Sequence, residues 1–320
     1  DRLDNVETFF NSHHWPTWGH ERIITQMQQQ QDMYKFIHDQ TVRLANIGYT
    51  PKEIAEKLTL PKSLAGNFHL RGYYGTLSHN SKAVYQHYFG WYEGNPAQLN
   101  PLPPVESSLR YVEFMGGADA VLEKAAVYLG KGEYRWVGEV LNHVVFADPD
   151  NMPARNMLAE AYRQMGYQAE SGPWRDIYLS GAKELSERTR DENLSVFLAR
   201  DFMLQVPMIE FMKALSVTLD ADKAEGERLK INILFTEFEQ NFVLSIRNFV
   251  MYYREVLTES SADASIAISG SLFFQIMMKQ VGITDLLTSE ELEVEGSVLK
   301  LIKFFSLLGE PNDNFNIVTP

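Results

Sequence analysis

Cysteine is absent from this chain of 320 residues. Its absence excludes disulfide bonds and every metal site built from thiolates, but it leaves the redox compartment open because secreted proteins without cysteine also occur. Long apolar runs are missing too. No stretch approaches the ~20 consecutive apolar residues that a membrane-spanning helix requires.

Basic residues are also scarce, with 29 lysines and arginines against 42 aspartates and glutamates, for a net charge of -13. Such a balance argues against nucleic acid as a partner, because lysine and arginine must displace the counterions of the phosphates. It also disfavours attraction to anionic membrane surfaces. An anionic ligand would therefore need a local cationic patch that works against the overall field. With 45% hydrophobic residues, the chain is long enough for two domains with real cores.

The first distinctive stretch is a loop close to the start of the chain. The apolar pair Phe9 and Phe10 predicts a short strand, after which Pro16 and Gly19 interrupt regular structure. His13 and His14 stand between them, where a strand end would fix one imidazole while the loop leaves one side open. One of the two could bind a metal, although two loop histidines that cap local backbone groups would produce the same pattern.

Residues 66–104 are the least regular and most aromatic part of the chain, with a helix predicted over 81–89. Irregular stretches of this length are often functional, and the aromatic density argues against disorder. The polar side chains here could donate hydrogen bonds to an anion, or they could satisfy buried backbone while the aromatic rings pack. The candidates are Arg71, Tyr74, His79, Asn80 and Tyr85.

Two helix pairs are predicted over residues 116–186, in a weak tetratricopeptide-like repeat. Two pairs are too few for a free solenoid, so they should dock on a second copy or on another part of the same protein. His143 falls on the apolar face of its helix and is interpreted as a core histidine rather than a ligand.

After a charged segment over 184–193, the pattern changes to α+β. Residues near the predicted helix 271–281 would suit either an adaptable lipid-binding lining or an ordinary core. They are Phe273, Phe274, Ile276, Met277 and Met278. Helices are predicted over 194–206, 208–215, 271–281 and 297–308, and strands over 229–235, 240–246, 248–256, 265–270 and 292–295.

Several runs of this sequence resemble the alkylsulfatases, zinc enzymes with a metallo-β-lactamase-like catalytic domain, and the similarity extends over essentially the whole chain. The loop Ser12-His13-His14-Trp15-Pro16-Thr17-Trp18-Gly19 resembles the last metal-binding loop of that family. Further runs are Arg71-Gly72-Tyr73-Tyr74-Gly75-Thr76-Leu77-Ser78-His79-Asn80, Phe89-Gly90-Trp91-Tyr92-Glu93-Gly94-Asn95-Pro96, Leu102-Pro103-Pro104, Tyr134-Arg135-Trp136 and Leu141-Asn142-His143-Val144-Val145-Phe146-Ala147.

One departure from the family is plain, because the H-x-H-x-D-H motif that opens its metal domain occurs nowhere in this sequence. The chain begins with Asp1, and we expect it to be the C-terminal part of an alkylsulfatase that starts inside the catalytic domain. The resemblance implies a mixed fold. It would comprise the end of a metallo-β-lactamase-like α/β domain over 1–28, an all-α, tetratricopeptide-like dimerisation domain over 29–188 and an α+β, sterol-carrier-protein-like domain over 189–320.

The resemblance also implies a function, the hydrolysis of alkyl sulfate esters such as dodecyl sulfate to an alcohol and inorganic sulfate. Two zinc ions would serve the complete site, and this chain would supply one ligand, His13, with His14 as the fallback. Arg71, Tyr74, His79, Asn80 and Tyr85 would bind the sulfate. The implied partners are the N-terminal catalytic part of the same protein and a second copy, in the periplasm or outside the cell. The chain alone should be inactive.

Two alternatives remain open at this point. One is a dimerisation and alkyl-chain-binding module without catalysis. A weaker alternative is a β-lactam or phosphate-ester hydrolase that shares the metal fold, but such enzymes generally lack the two domains that follow.

Overall fold

The structure, a computed structural model, describes residues 5–13, 15–187, 206–237, 240–256, 260–277, 281, 292–309 and 315–320. The chain divides into two compact units. The helical unit is Asp1–Asp191 together with Asn316–Pro320, and the sheet unit is Glu192–Phe315. The expected mixed fold, a helical domain followed by a domain with a sheet, is confirmed. Among the described residues, no helix is both long and apolar enough to cross a bilayer.

The helical unit starts with a short antiparallel hairpin of two strands, in which Thr8 pairs with Trp18 and Phe9 with Thr17. Helices follow almost without interruption, with two 3-10 turns at Phe68–Leu70 and Pro96–Gln98. The strands are β1 (Thr8–Phe9) and β2 (Thr17–Trp18), and the helices are α1 (His20–Asn46), α2 (Pro51–Lys57), α3 (Lys62–Ala65), α4 (Leu77–Phe89), α5 (Pro104–Phe114), α6 (Ala118–Gly130), α7 (Tyr134–Ala147), α8 (Met152–Gln168) and α9 (Gly172–Glu187).

Two of these helices differ from the sequence prediction. Helix α4 begins four residues earlier than expected, because the Thr76 hydroxyl accepts the backbone N–H of His79 and so caps an earlier start. Helix α5 was not predicted at all, since it opens on Pro104 after a proline-rich stretch. A reciprocal cap starts α2: the Thr50 side chain accepts from the backbone of Glu53, and the Glu53 carboxylate accepts from the backbone of Thr50.

The core of the helical unit has two parts. Helices α1, α2 and α4 enclose Leu44, Ile54, Leu58 and Tyr85. Helix α7 packs against α5, α6 and α8, while α8 packs against α9. The residues buried there are Val121, Ala125, Val137, Leu141, Val144, Val145, Ala154, Leu158, Ala159, Ala161, Ala182 and Leu185. Burial of such aliphatic side chains is what stabilises amphipathic helices in water.

The C-terminal tail of the chain, residues 316–320, belongs to the helical unit. The Glu184 carboxylate on α9 is buried, and its Oε1 accepts the backbone N–H groups of Ile317 and Val318 at 2.9 and 2.8 Å. Arg155, also buried, donates to the backbone carbonyls of Glu184 and Leu185. The tail and Arg155 therefore satisfy polar groups that would be costly to bury alone.

The sheet unit contains five strands in the order β5-β4-β3-β6-β7. Strands β3 and β6 are parallel, and every other neighbouring pair is antiparallel. Three helices accompany the sheet among the described residues of this unit. Its elements are α10 (Met208–Ser216), β3 (Leu229–Phe235), β4 (Gln240–Arg247), β5 (Val250–Glu255), β6 (Ala264–Ile268), α11 (Gly270–Met277), β7 (Leu292–Gly296) and α12 (Val298–Ser306).

Two of the residues expected either in a lipid-binding pocket or in a core, Phe273 and Ile276, lie in the core. Phe273 is fully buried and packs edge-on against Phe235, with ring centroids 5.2 Å apart. Ile276 is buried with it. Phe274 contacts Phe211 of α10, with ring centroids 4.3 Å apart. The Met277 side chain, Met278 and the predicted helix over 194–206, apart from Val206, lie outside the described residues.

Asp263 organises one end of the sheet unit. Its Oδ2 accepts the backbone N–H of Lys230 at 2.8 Å, its Oδ1 binds the Lys300 ammonium, and its carbonyl accepts the N–H of Ser297. Burial by itself would raise the pKa of Asp263, but these donors lower it overall. Gly296 lies against the same carbonyl with φ at +89°, and a Cβ built there would come within 2.7 Å of the Asp263 oxygen.

Gly296→Ala should therefore destabilise the sheet unit, because the new methyl group meets backbone that cannot move aside. Gly226→Ala is the matched control, since Gly226 also has a positive φ of +74° but has nothing within 4 Å of its Cβ position. We expect the control to cost about 1 kcal/mol and Gly296→Ala at least about 2 kcal/mol more. Urea unfolding of both variants measures the difference, and equal losses would contradict the steric explanation.

His143 on α7 is partly buried, as its apolar face predicted. Its Nδ1 lies 3.1 Å from the Ser108 hydroxyl, and its ring packs against Tyr111 with centroids 4.5 Å apart. Burial lowers the pKa of His143 below its usual value of 6.5. The unfolded chain therefore takes up a proton at this residue at a higher pH than the folded protein does.

Folding stability should consequently decrease as the pH falls below about 6.5 toward the lower pKa of folded His143. His143→Gln removes the titrating group and should flatten this part of the pH profile. Thermal unfolding midpoints between pH about 8 and pH about 5 provide the measurement. His87→Gln, at an exposed histidine on α4, is the control. An unchanged slope in His143→Gln would refute this origin of the pH dependence.

Candidate functional site

The hairpin loop that carries His13 and the turn over 71–75 meet at one cleft of the helical unit, with a volume of about 640 Å³. Helix α1 forms an apolar wall of the same cleft through Met33 and Ile37. The polar side chains on it include His13, Arg71, Tyr74, Asn80 and Glu170.

His13 is held by an aromatic contact. Its ring stacks on the ring of Tyr74, with centroids 4.9 Å apart and planes inclined by 28°. The hairpin is fixed to α1 where the Thr17 hydroxyl meets the buried side chain of Gln26 at 2.5 Å. These two contacts orient the imidazole although the loop is exposed. His14, the fallback ligand, lies outside the described residues.

The turn over 71–75 is bound to the beginning of α9, almost one hundred residues further along the chain. The Ser171 hydroxyl donates to the carbonyl of Tyr74 at 2.6 Å, and the N–H of Gly172 donates to the carbonyl of Tyr73 at 2.8 Å. Ser171 is itself buried. This pair of hydrogen bonds determines where the rings and guanidinium of the turn can lie.

Arg71, the predicted sulfate-binding cation, already has an anionic partner. Its Nη2 lies 2.5 Å from the Glu170 carboxylate, and its guanidinium lies over the ring of Tyr73 at 5.3 Å. Both side chains of the ion pair are about half exposed, so water screens the pair and its contribution to stability is small. An anionic ligand at this point must exchange with Glu170 for the donors of Arg71.

The other predicted site residues divide between the cleft and its surroundings. Asn80 lines the cleft, and its carboxamide lies so close to Gly75 that a Cβ on that glycine would come within 2.9 Å of Oδ1. His79 faces α9, where its Nδ1 lies 3.4 Å from the indole nitrogen of Trp174. Tyr85 is 8% exposed and packs in the core with Leu44, Ile54 and Leu58, so it does not line the cleft.

The contribution of α9 and of the residues just before it was not predicted from the sequence. Glu170, Ser171 and Trp174 pair with Arg71, Tyr74 and His79 across 95 to 99 positions. No short motif reports a contact of that range. The only sequence signal was the serine that precedes Gly172-Pro173, which fits a helix start.

A complete metal site is not present in the part of the chain that the structure describes, where no three histidine, aspartate or glutamate side chains lie together. His13 offers a single exposed imidazole of fixed orientation, which fits one ligand of a zinc ion. The assignment of His13 as a metal ligand therefore remains a prediction, as does the pair of zinc ions.

Ser171→Ala should loosen the turn, because it leaves the Tyr74 carbonyl without its buried donor and removes the hydroxyl that accepts from the N–H of Trp174. We expect a loss of about 1–2 kcal/mol in stability. Amide hydrogen exchange in residues 72–76 should also accelerate. Ser186→Ala is the control, since the Ser186 hydroxyl donates to the carbonyl of Ala182 within its own helix. Unchanged exchange in the turn would show that Ser171 does not hold it.

Comparisons with known proteins agree over the whole chain. Residues 50–188 match the family "Alkyl sulfatase dimerisation", and residues 197–320 match "Alkyl sulfatase C-terminal". A linear primary-alkylsulfatase of Pseudomonas sp is 43% identical over 99% of this chain and 47% of its own length. The alkyl/aryl-sulfatase BDS1 of Saccharomyces cerevisiae is 44% identical over 98% and 48%.

A solved structure is similar as well. The stereoselective inverting sec-alkylsulfatase Pisa1 from Pseudomonas sp. superimposes with a TM-score of 0.92 at 37% identity, over 99% of this chain and 50% of the other. The chain therefore spans about half the length of the relatives it matches.

Proposed function

Because this chain belongs to the alkyl sulfatase dimerisation and C-terminal domain families and is homologous to the linear primary- and secondary-alkylsulfatases, we propose that it is the C-terminal part of an enzyme that hydrolyses alkyl sulfate esters. The products would be an alcohol and inorganic sulfate. Identity of 38 to 44% over almost the whole chain is the observation that carries this proposal.

In this proposal His13 is one ligand of a binuclear zinc site, and the N-terminal catalytic part of the same protein supplies the remaining ligands. When bound, zinc supplies a water molecule of lowered pKa and polarises the sulfate oxygens. The stack on Tyr74 supports the choice of His13, since a ligand ring must be held in a fixed direction. Residues 1–28 would complete the metallo-β-lactamase-like domain.

The sulfate would enter the cleft between the hairpin loop and the turn. Arg71 would turn its Nη2 away from Glu170 and pair two N–H groups with two sulfate oxygens, a planar arrangement that suits guanidinium. The Asn80 amide would donate a further hydrogen bond to the sulfate. The apolar wall formed by Met33 and Ile37 would face the start of the alkyl chain.

The helical unit would form a homodimer. Exposed apolar side chains on α5 support this, above all Phe114 at 93% exposure, together with Val105 and Leu109. The tetratricopeptide-like repeat and the sterol-carrier-like character of the sheet unit are part of the same proposal, as is an alkyl-binding role for that unit. A periplasmic or secreted location is proposed from the family alone.

The test compares this chain with the full-length protein in a sulfate-release assay on dodecyl sulfate, with zinc measured by elemental analysis. We expect two zinc ions and activity in the full-length protein, and neither in this chain alone. His13→Ala in the full-length protein should lower both zinc content and turnover, the latter at least about 100-fold. His87→Ala, at an exposed histidine of α4, should change neither.

Full activity and zinc content in His13→Ala would refute the ligand assignment. A full-length protein that binds alkyl sulfate without releasing sulfate would instead support the alternative, a dimerisation and alkyl-chain-binding module.

A further inference from the structure

The turn between β4 and β5 has an unusual residue at its tip. Asn248 and Phe249 form a two-residue hairpin turn with φ values of +49° and +65°, between the paired residues Arg247 and Val250. Two-residue turns with positive φ at both positions favour asparagine followed by glycine. Phenylalanine at the second position is strained, because its Cβ crowds the backbone in the left-handed region.

The side chain carried by this strained backbone is also exposed. Phe249 is 50% exposed at the tip, and Tyr252, on the outer face of β5, is 49% exposed. Val250 beside them is exposed as well, whereas Met251 between them is buried in the core. The turn thus holds an aromatic ring in water at a cost in backbone strain. Strain of this kind is a reason to look for a function of the residue.

Cationic side chains accompany the exposed rings. The Arg247 guanidinium lies over the Tyr252 ring at 5.0 Å, and Arg254 is exposed on the same face of the hairpin. No aspartate or glutamate occurs between Gln240 and Arg254, although the chain as a whole has a net charge of -13. The tip of the hairpin is therefore a cationic and aromatic surface on an acidic protein, and the nearest carboxylate of β5, Glu255, lies at the far end of that strand.

We infer that the tip of this hairpin, Arg247 to Tyr252, binds the anionic surface of aggregated alkyl sulfate molecules. The aromatic rings would enter the boundary between head groups and alkyl chains, and arginine would pair with the sulfate groups. An acidic protein is repelled by such a surface except where a local cationic patch meets it, which favours this hairpin as the point of contact. The identity of the amphiphile rests on the proposed function.

Binding can be measured by flotation of the 320-residue chain with phosphatidylcholine vesicles that contain hexadecyl sulfonate. A sulfonate carries the same head-group charge, but its sulfur is bonded directly to carbon, so it offers no ester to hydrolyse. We expect Phe249→Asn to weaken the partition at least about fivefold, through loss of the inserted ring. Arg247→Gln should weaken it about fivefold through loss of one charge.

Two controls separate binding from folding. Asparagine tolerates a positive φ, so the thermal midpoint of Phe249→Asn should equal or exceed that of the unmodified chain. Leu299→Ser removes another apolar side chain of the same unit, 79% exposed on α12, and should leave the partition unchanged.

Undiminished binding by Phe249→Asn would overturn the inference, as would equal binding to vesicles of phosphatidylcholine alone. Equal binding to phosphatidylglycerol vesicles would overturn the assignment to alkyl sulfates. The flotation assay involves no turnover, so its failure leaves the hydrolase proposal intact. If the full-length protein released no sulfate but the variants still changed flotation, the hydrolase proposal would fail. The hairpin would then remain a site that binds anionic surfaces.

Discussion

The candidate site depends on one long-range contact, the binding of the turn over 71–75 to the start of α9. The Ser171 hydroxyl and the Gly172 N–H hold the carbonyls of Tyr74 and Tyr73, and the packing of α8 against α9 holds Ser171 in turn. Through Tyr74 the same contact reaches His13, which stacks on that ring. A loop near the start of the chain is thus oriented by a helix that begins more than 150 residues later, so the helical unit must fold before the site can exist.

Two arginines of this acidic chain differ in whether a carboxylate pairs with them. Arg71 and Arg247 each lie over a tyrosine ring, at 5.3 and 5.0 Å. Arg71 also contacts the Glu170 carboxylate, whereas no carboxylate pairs with Arg247 within the described residues. A ligand at Arg71 must therefore compete with a carboxylate. This favours an anion that can accept two parallel hydrogen bonds from Arg71 and further hydrogen bonds from other donors. Arg247 offers its charge directly to a surface, which suits a weaker contact made by many equivalent head groups.

Much of the fold could be predicted from the sequence, because its signals are local. Periodicity identified α6 to α9, and alternation identified β3, β4 and β6. Helix α5 was not predicted, since its opening prolines suggested a loop.

Within the site, His13, Arg71 and Asn80 were found through motifs that contain them, and the structure brings these three to one cleft. Glu170 and Ser171 were not found, because their partners lie 97 or more positions away and a single sequence carries no record of such pairs. Tyr85 resembles its neighbours in the sequence, and only packing reveals that it belongs to the core.

The end of the chain illustrates the same distinction between sequence and packing. The C-terminal family covers residues 197–320, yet the final five residues pack within the helical unit. The reason is the buried carboxylate of Glu184, which needs donors and receives them from the backbone of Ile317 and Val318. Backbone donors carry no side-chain signature, so no pattern of residues could have assigned the tail to α9. A cut after residue 191 would remove these donors and leave Glu184 unsatisfied at the end of the helix that positions the candidate site. The two family matches are therefore separate in the sequence, but the fold of the helical unit includes residues 316–320.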